Sequence, residues 1–311
     1  VGPFDSQIAA ALLPSIEQHG VATLSPSATL PGLTQADQAP LEGISFAQLH
    51  PNSKPVAFFR LPETDSAAGK VTADLALAPT QAHGLAARSA FLVNDGSLSG
   101  QALTAAFRQE LTAKGGSLAG EQSTMTAAPA SAQAVVRAII RANPDIVFYA
   151  GDIAIGAALR STLSLTGAPQ LVVLTAGAIA DHPGWSAAVG VVPAAAYTMA
   201  VLPAQDLSAL ANAQRFVAAY HTAFPGQEPL PQSALAYDAA MDEIGAIKAL
   251  IKSGVRVTRS AVLAKVASAD YPGVTSAIAF DQNGDNTTPL GFSLYTCDSN
   301  GAWQYQASLS G

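Results

Sequence analysis

Short apolar runs alternate with helix-patterned segments through the middle of this chain, and this alternation constrains the fold more than any other feature. A continuous apolar run of strand length is typical of a strand buried on both faces, as in parallel sheets covered by helices on both sides. Between the runs, apolar residues recur at helical spacing. The pattern therefore predicts a βαβαβαβ unit with a parallel, doubly covered sheet. Its strands are expected at Ala90-Phe91-Leu92-Val93, near Ser117 to Gln122, at Ile146-Val147-Phe148-Tyr149 and at Leu171-Val172-Val173-Leu174.

A second α/β unit is predicted at the amino terminus. A helix is expected from about Gln7 to His19, followed by strands at Val21 to Leu24 and at Val56 to Arg60. Two such units suit a chain of 311 residues with 49% hydrophobic content, which is long enough for about two domains.

The last third of the chain is predicted to be helical before it ends in strands. Asn283-Gly284 and Asn300-Gly301 predict tight hairpins, because the favoured two-residue turn needs positive φ at its centre. Asp281, Asn283 and Asp285 resemble a calcium loop, but the glycine spacing is wrong and no glutamate closes it, so we favour the hairpin. The helices are expected at Leu207 to Phe224, Ala234 to Ser253 and Arg259 to Ala267.

The stretch from Pro183 to Gln205 contains no charged residue, and its length alone could suggest a membrane span. Pro193 and Pro203 interrupt it together with other prolines and glycines, and alanine supplies much of its apolar character. We therefore predict a helix end, a loop and a buried strand.

Composition excludes several classes of partner. Only 12% of the residues are charged, and 15 basic against 22 acidic residues give a net charge of −7. Such a chain lacks the basic surface that nucleic acids and anionic membranes require, and neither is expected as a partner. The single cysteine, Cys297, excludes an internal disulfide and a cysteine-based zinc site. Its apolar strand context predicts a buried, unreactive thiol.

Motifs of catalysis are absent from the sequence. The segment Gly96-Ser97-Leu98-Ser99-Gly100 resembles a nucleophile elbow, but leucine stands where the serine is needed. No glycine-rich nucleotide loop follows a strand, and the five histidines include no pair at i, i+4. We therefore expect no cofactor, no metal and no enzymatic activity.

Hydroxyl-bearing residues cluster in two successive turns near the amino terminus. Ser6 precedes the first helix, and Ser27 and Thr29 follow the first strand. Hydroxyls and free backbone N–H groups in such turns suit a carboxylate ligand, at the sheet edge where α/β folds bind ligands. The alternatives are local: Ser6 could cap the helix, and Ser27 and Thr29 could form turn bonds.

Two carboxylates lie at comparable places. Asp65 follows the strand that ends at Arg60, and Asp152 follows Tyr149-Ala150-Gly151. Each could cap the helix that comes next, which for Asp65 would begin near Ser66, or could receive an ammonium group.

The chain resembles the periplasmic binding proteins of type I fold, specifically the branched-chain amino-acid receptor family of ABC importers. The matching marks cover nearly the whole chain in the order of that family. They are Gly2 to Ser6, Ser25-Pro26-Ser27-Ala28-Thr29 with Leu33-Thr34, Phe59-Arg60 with Asp65, Asn143-Pro144-Asp145, Gly151-Asp152, Ala236-Tyr237-Asp238-Ala239, and Ala279-Phe280-Asp281 with Asn283-Gly284-Asp285.

This resemblance implies two Rossmann-like lobes joined by a three-crossing hinge, with the ligand in the cleft between them. The expected lobes are residues 1–62 with 205–291 and residues 63–204 with 292–311. Ser6 and Thr29 would bind the ligand carboxylate, and the Ser27 carbonyl with the Thr29 hydroxyl would bind the amine. The implied ligand-binding set is Phe4, Ser6, Ser27, Ala28, Thr29, Asp65, Ser99, Asp152 and Gly177.

The chain departs from the family pattern in two respects. The resemblance implies that the first lobe would lack its first two β-α units, and such a lobe is expected to expose an apolar sheet edge. Ser99 stands where an aromatic residue often covers the ligand, and Gly177 stands where leucine-type receptors have a glutamate. The amine would then rest on Asp65 or Asp152, or be absent from the ligand.

The function implied is that of an extracytoplasmic solute-binding protein of an ABC importer. It would be a monomer that binds an amino acid or a related small carboxylate and delivers it to the membrane permease. Its location would be periplasmic or extracellular after removal of a signal peptide, with or without a lipid anchor. The alternatives are a ligand-sensing domain of a receptor or regulator with the same fold, and an α/β enzyme, for which no nucleophile and base were found.

Overall fold

The computed structural model describes residues 1–51, 56–78, 84–177, 179, 184–190 and 196–311. The chain divides into two compact units, and it passes from one to the other three times. Unit 1 comprises Val1–Thr64 and Ala204–Leu290, and unit 2 comprises Asp65–Pro203 and Gly291–Gly311. The lobes expected from the sequence end within two residues of these boundaries.

The described residues form ten α-helices and eleven strands. The helices are α1 (Ser6–His19), α2 (Phe46–Leu49), α3 (Asp65–Leu77), α4 (Leu98–Ala113), α5 (Pro129–Ala142), α6 (Ile153–Leu165), α7 (Trp185–Val189), α8 (Ala213–Ala223), α9 (Pro231–Lys252) and α10 (Arg259–Ala267). The strands are β1 (Thr23–Ser25), β2 (Phe58–Arg60), β3 (Ser89–Asn94), β4 (Ser117–Ser123), β5 (Ile146–Ala150), β6 (Val172–Ala176), β7 (Thr198–Leu202), β8 (Tyr271–Pro272), β9 (Ala277–Ile278), β10 (Phe292–Cys297) and β11 (Trp303–Leu309).

Unit 2 is built on a seven-stranded sheet in the order β11-β10-β7-β6-β5-β3-β4. The five strands from β7 to β4 pair in parallel, and β10 and β11 are antiparallel additions at one edge. The βαβαβαβ prediction is confirmed. Burial on both faces explains the apolar runs, since Leu92 packs with Phe107 in one buried cluster while Val93 packs with Val136 in the other.

Unit 1 contains a two-stranded parallel sheet, in which Thr23 of β1 lies opposite Phe58 of β2. Helix α1 begins after Asp5, whose carboxylate accepts the N–H groups of Gln7 and Ile8, and ends at Gly20 with φ of 58°. Large apolar side chains of α1 and α9 are exposed. They are Ile8, Leu12, Ile244, Ile247 and Ile251.

Several element boundaries predicted from the sequence differ from those in the structure. The single helix expected at Leu207 to Phe224 is wrong: a 3₁₀ turn at Leu207–Ala209 is separated from α8. The reason is local, because the Asp206 carboxylate caps the short turn and Leu210 takes an extended conformation that cannot continue a helix. Strands β1 and β2 are shorter than expected, at three residues each.

Two other predictions from the sequence are confirmed. Asn300-Gly301 lies in the tight turn between the antiparallel strands β10 and β11, where the Asp298 N–H donates to the Ala302 carbonyl and the Gly301 N–H donates to the Asp298 carbonyl. Asn283-Gly284 forms a similar turn, since the Asp281 N–H donates to the Asp285 carbonyl. In the uncharged stretch, α7 and the fully buried strand β7 are present as predicted, while residues 191–195 between them lie outside the described residues. No described helix is long and apolar enough to cross a membrane.

Candidate functional site

Two segments of unit 1 are joined by serine hydroxyls, and we call them together the cradle: residues 3–6 before α1 and residues 25–30 after β1. The Ser25 hydroxyl donates to the Pro3 carbonyl at 2.7 Å, and the Ser27 hydroxyl donates to the Phe4 carbonyl at 2.6 Å. The residues that the sequence placed in two successive turns therefore lie side by side.

Ser6 also connects the two segments, but as an acceptor: it belongs to the first segment and accepts hydrogen bonds from the second. Its buried Oγ accepts the N–H of Thr29 at 3.0 Å and the N–H of Leu30 at 3.2 Å. A hydroxyl oxygen has two lone pairs and one proton, so these two bonds leave it only as a donor. Within the described residues this proton has no acceptor. Accepting two N–H bonds also polarises the O–H group, which makes it a better donor to an anion.

The alternative that Ser6 caps the first helix is wrong. Asp5 is the N-cap, with its Oδ1 at 2.7 Å from the Gln7 nitrogen and 2.9 Å from the Ile8 nitrogen. Ser6 is the first residue of α1, and its side chain is directed to the β1 loop instead. A carboxylate binds the orphan N–H groups at a helix start well, which leaves the serine available for another role.

The expectation of free backbone N–H groups is wrong for residues 28–30 of the cradle. Those of Thr29 and Leu30 are bound by Ser6, and that of Ala28 is bound by the Ser25 hydroxyl at 2.9 Å. What the cradle offers are the Ser6 proton, the Thr29 hydroxyl and the Ser27 carbonyl, none of which bonds to another described residue. Nearby, the Phe4 ring is 69% exposed.

Unit 2 brings three of the predicted residues to one edge of its sheet. Ser99 follows β3, Asp152 follows β5 and Gly177 follows β6. These three strands are parallel neighbours, so their carboxyl ends lie at the same edge, where open α/β sheets bind ligands. Gly177 has φ of 92°, and a Cβ at this position would meet no atom within 4 Å. Among the described residues, no atom fills the space beside it.

The two predicted carboxylates have different local roles. Asp152 caps α6, since its Oδ1 accepts the Ala154 N–H at 2.8 Å. The capping alternative is therefore confirmed for Asp152. Asp65 is the first residue of α3 and is buried within its first turn, and its two alternative roles stay predictions.

Asp95 is a site-forming residue that the sequence analysis missed. Its Oδ1 accepts the Ser97 N–H at 2.9 Å, and its Oδ2 accepts the Asp152 N–H at 2.9 Å, so it joins the loops after β3 and β5. A Cβ on Gly151 would lie 2.4 Å from the Asp95 Cγ, which restricts that position to glycine. The signal available was an aspartate directly after a buried strand, followed by glycine and serine.

No described residues form a cluster of three or more metal-ligating side chains, and His83 and His182 lie outside the described residues. Cys297 is buried, and its burial raises the pKa of the thiol to about 12. At neutral pH it is a protonated thiol, as the sequence predicted.

Comparisons with known proteins give a consistent result. No protein among those with curated functions matches the chain. Among solved structures, a leucine binding protein, LivK, from Thermotoga maritima has 21% identity and a TM-score of 0.77, covering 99% of this chain and 79% of that one. LivJ of Streptococcus pneumoniae, a branched-chain amino acid transporter substrate binding protein in complex with isoleucine, has 19% identity and a TM-score of 0.79, covering 100% and 78%.

A further similar structure is a solute binding protein of an ABC transporter from R. palustris in complex with benzoate. It has 17% identity and a TM-score of 0.69, covering 98% of this chain and 75% of that one. These likenesses show an α/β type I periplasmic binding protein fold. The family model described as "Periplasmic binding protein" matches residues 1–302. The chain therefore belongs to the periplasmic binding protein family.

Proposed function

We propose that this protein binds an amino acid or a related small carboxylate outside the cytoplasm and delivers it, as a monomer and without chemical change, to the permease of an ABC importer. The supporting observation is the cradle of unit 1, where the Ser6 hydroxyl can act only as a donor. Leucine, isoleucine and benzoate, named for the similar structures, all have a carboxylate.

In this proposal the Ser6 and Thr29 hydroxyls donate to the ligand carboxylate. The Ser27 carbonyl accepts from the ammonium group if the ligand has one, and the exposed Phe4 ring covers apolar parts of the ligand. Bonds from neutral hydroxyls to a carboxylate are charge-assisted, so they are stronger than those between neutral groups. The predicted contacts of Ala28, Asp65, Ser99, Asp152 and Gly177 stay predictions, each testable by its own substitution.

Thr29 offers the cleanest test, because its hydroxyl makes no bond to another described residue. Thr29→Val keeps the shape of the side chain and removes the hydroxyl, so the fold should keep its stability while the binding free energy weakens by about 1–3 kcal/mol. Thr29→Ser, the matched control, keeps the hydroxyl and should bind nearly as well as the wild type.

The ligand for this test comes from a thermal-shift screen of amino acids, their amides and aromatic acids. A ligand at about 100 times its Kd stabilises the protein by about 2.7 kcal/mol, which is readily measured. Calorimetry then gives the affinity of each variant. Stabilisation by the amides but not by the acids, or equal affinity of Thr29→Val and the wild type, would contradict the proposed carboxylate site.

A further inference from the structure

A largely buried ion pair between Arg60 and Asp285 lies in unit 1 and is hydrogen-bonded to Leu30 of the cradle. Arg60, the last residue of β2, is 1% exposed, and its Nε donates to Asp285 Oδ1 at 2.9 Å. Its Nη2 lies 2.8 Å from the same oxygen. The second carboxylate oxygen of Asp285 accepts the side-chain amide of Gln35 at 2.9 Å. Both charged groups are therefore fixed from more than one direction.

The backbone of both partners is fixed as well. The Arg60 N–H donates to the Gly284 carbonyl at 2.9 Å, and the Asn286 N–H donates to the Arg60 carbonyl at 3.2 Å. Asp285 thus lies in a tight turn whose two flanking residues are bonded to Arg60. This arrangement limits how far the guanidinium can move relative to β2.

The remaining N–H donors of Arg60 bind the segment from Leu30 to Thr34, which begins at the last residue of the cradle. Nη1 donates to the Leu30 carbonyl at 2.6 Å, and Nη2 donates to the Thr34 hydroxyl at 2.5 Å. Thr34 in turn donates to Asp285 Oδ1 at 2.7 Å. The guanidinium therefore binds both ends of the segment from Leu30 to Thr34.

Leu30 connects the ion pair to the cradle. Its carbonyl accepts from Arg60, and its N–H donates to the Ser6 hydroxyl oxygen. Both groups belong to one residue, so a change in its backbone orientation alters both bonds. The Ser6 hydroxyl is left only as a donor to the ligand while its oxygen accepts from Thr29 and Leu30. Its role as a donor therefore depends on where Arg60 holds Leu30.

Stability alone does not account for such a pair. Replacing a buried ion pair by well-packed apolar residues is often neutral or stabilising, because two charges must lose their water. A planar guanidinium with fixed donor directions instead fixes geometry, which a lysine ammonium does less well.

We propose that Arg60 and Asp285 are positioning residues that hold Leu30 so that the Ser6 hydroxyl donates to the ligand carboxylate. This inference rests on the proposed function. It assigns the two residues no contact with the ligand.

The test compares Arg60→Lys with Arg160→Lys in the full chain. Arg160 of α6 in unit 2 is a matched control, since it is equally buried and its guanidinium binds the Leu171 and Pro169 carbonyls. Three quantities are measured: the thermal midpoint, the affinity for the carboxylate found in the screen, and amide hydrogen exchange in residues 26–35. The exchange measurement needs no ligand.

Both variants should lower the thermal midpoint. Only Arg60→Lys should weaken binding, by about tenfold or more, and raise the exchange rate at Thr29 and Leu30. Should Arg60→Lys not fold, Thr34→Val removes the hydroxyl between Arg60 and Asp285, keeps the ion pair, and should show the same two changes to a smaller extent.

Equal losses of thermal midpoint in the two variants, with exchange in residues 26–35 unchanged by Arg60→Lys, would overturn the proposal. Raised exchange with unchanged affinity would overturn it too, since the loop would then move without consequence for binding. If no carboxylate stabilises the wild type, the proposed function fails, and the exchange data still decide whether Arg60 orders Leu30.

Discussion

Asp242 is a single residue whose charge state should be visible in the stability of the protein. It lies on α9 with 5% of its surface exposed, and its Oδ2 has no hydrogen-bond partner in the part of the chain that the structure describes. Burial, reinforced by the neighbouring charge of Glu243 and opposed by Lys265, raises the pKa of this carboxyl to about 6. Between about pH 4 and pH 6 the folded protein therefore holds a proton that the unfolded chain, with an aspartate pKa of about 3.9, releases.

The sign of the pH effect follows from this difference. The contribution of Asp242 to folding is fully present below about pH 4 and is lost as the pH rises through about 6. Asp242→Asn should therefore be more stable than the wild type at pH 8, by on the order of 2 kcal/mol, and nearly equal to it at pH 4. Urea denaturation at the two pH values measures this. The same stability difference at both pH values would contradict it.

Among the elements, the hairpin between β10 and β11 depends on one glycine. Gly301 has φ of 81°, and a Cβ on it would lie 2.2 Å from the Cβ of Ser186 on α7. Gly301→Ala should thus add a steric clash to the backbone strain. Gly115→Ala is the matched control, because Gly115 has φ of 84° and open space around its Cβ position.

The control should cost about 1 kcal/mol of unfolding free energy, which is the strain of positive φ in a residue with a Cβ. Gly301→Ala should cost at least about 1 kcal/mol more, since the hairpin or α7 has to move. Chemical denaturation of the two variants measures the difference. Equal costs would mean that Ser186 accommodates the methyl group without loss.

The elements differ in how well the sequence predicts them. Burial leaves a pattern over many residues, whereas a cap or a single backbone conformation does not. Burial on both faces makes β3, β5 and β6 continuous apolar runs, so their existence and their parallel arrangement could be read directly. The break at Leu210 between the 3₁₀ turn and α8 could not, because helical periodicity continues across it. It depends on a cap formed by Asp206 and on the conformation of one residue.

The candidate site was likewise only partly predictable from the sequence. Its residue types and their place at strand ends were predictable, because hydroxyl-rich turns follow recognisable strands. Which atom bonds to which was not, since the Ser6 oxygen meets the Thr29 N–H only after residues 23 positions apart come together. Asp95 was missed for the same reason, as its partner Asp152 is 57 positions away and is brought near by strand pairing.

At the scale of the whole molecule, each unit has its own paired strands and its own buried apolar residues, and the chain passes between the units three times. A unit with its own core opens as a cooperative group, and groups of different stability separate in amide exchange under mild denaturant. We therefore predict two sets of peptides with distinct opening free energies. One set comes from residues 1–64 and 204–290, and the other comes from residues 65–203 and 291–311.

The Gly301→Ala variant distinguishes this prediction from a uniform loss of stability. Its clash lies wholly within unit 2, so it should lower the opening free energy of unit 2 peptides and leave that of the Arg60 and Ser6 peptides in unit 1 nearly unchanged. Asp242→Asn at pH 8 should act in reverse, raising only the values of unit 1, because Asp242, Glu243 and Lys265 all belong to it. If either substitution shifts both sets equally, the three chain crossings couple the units into one cooperative structure.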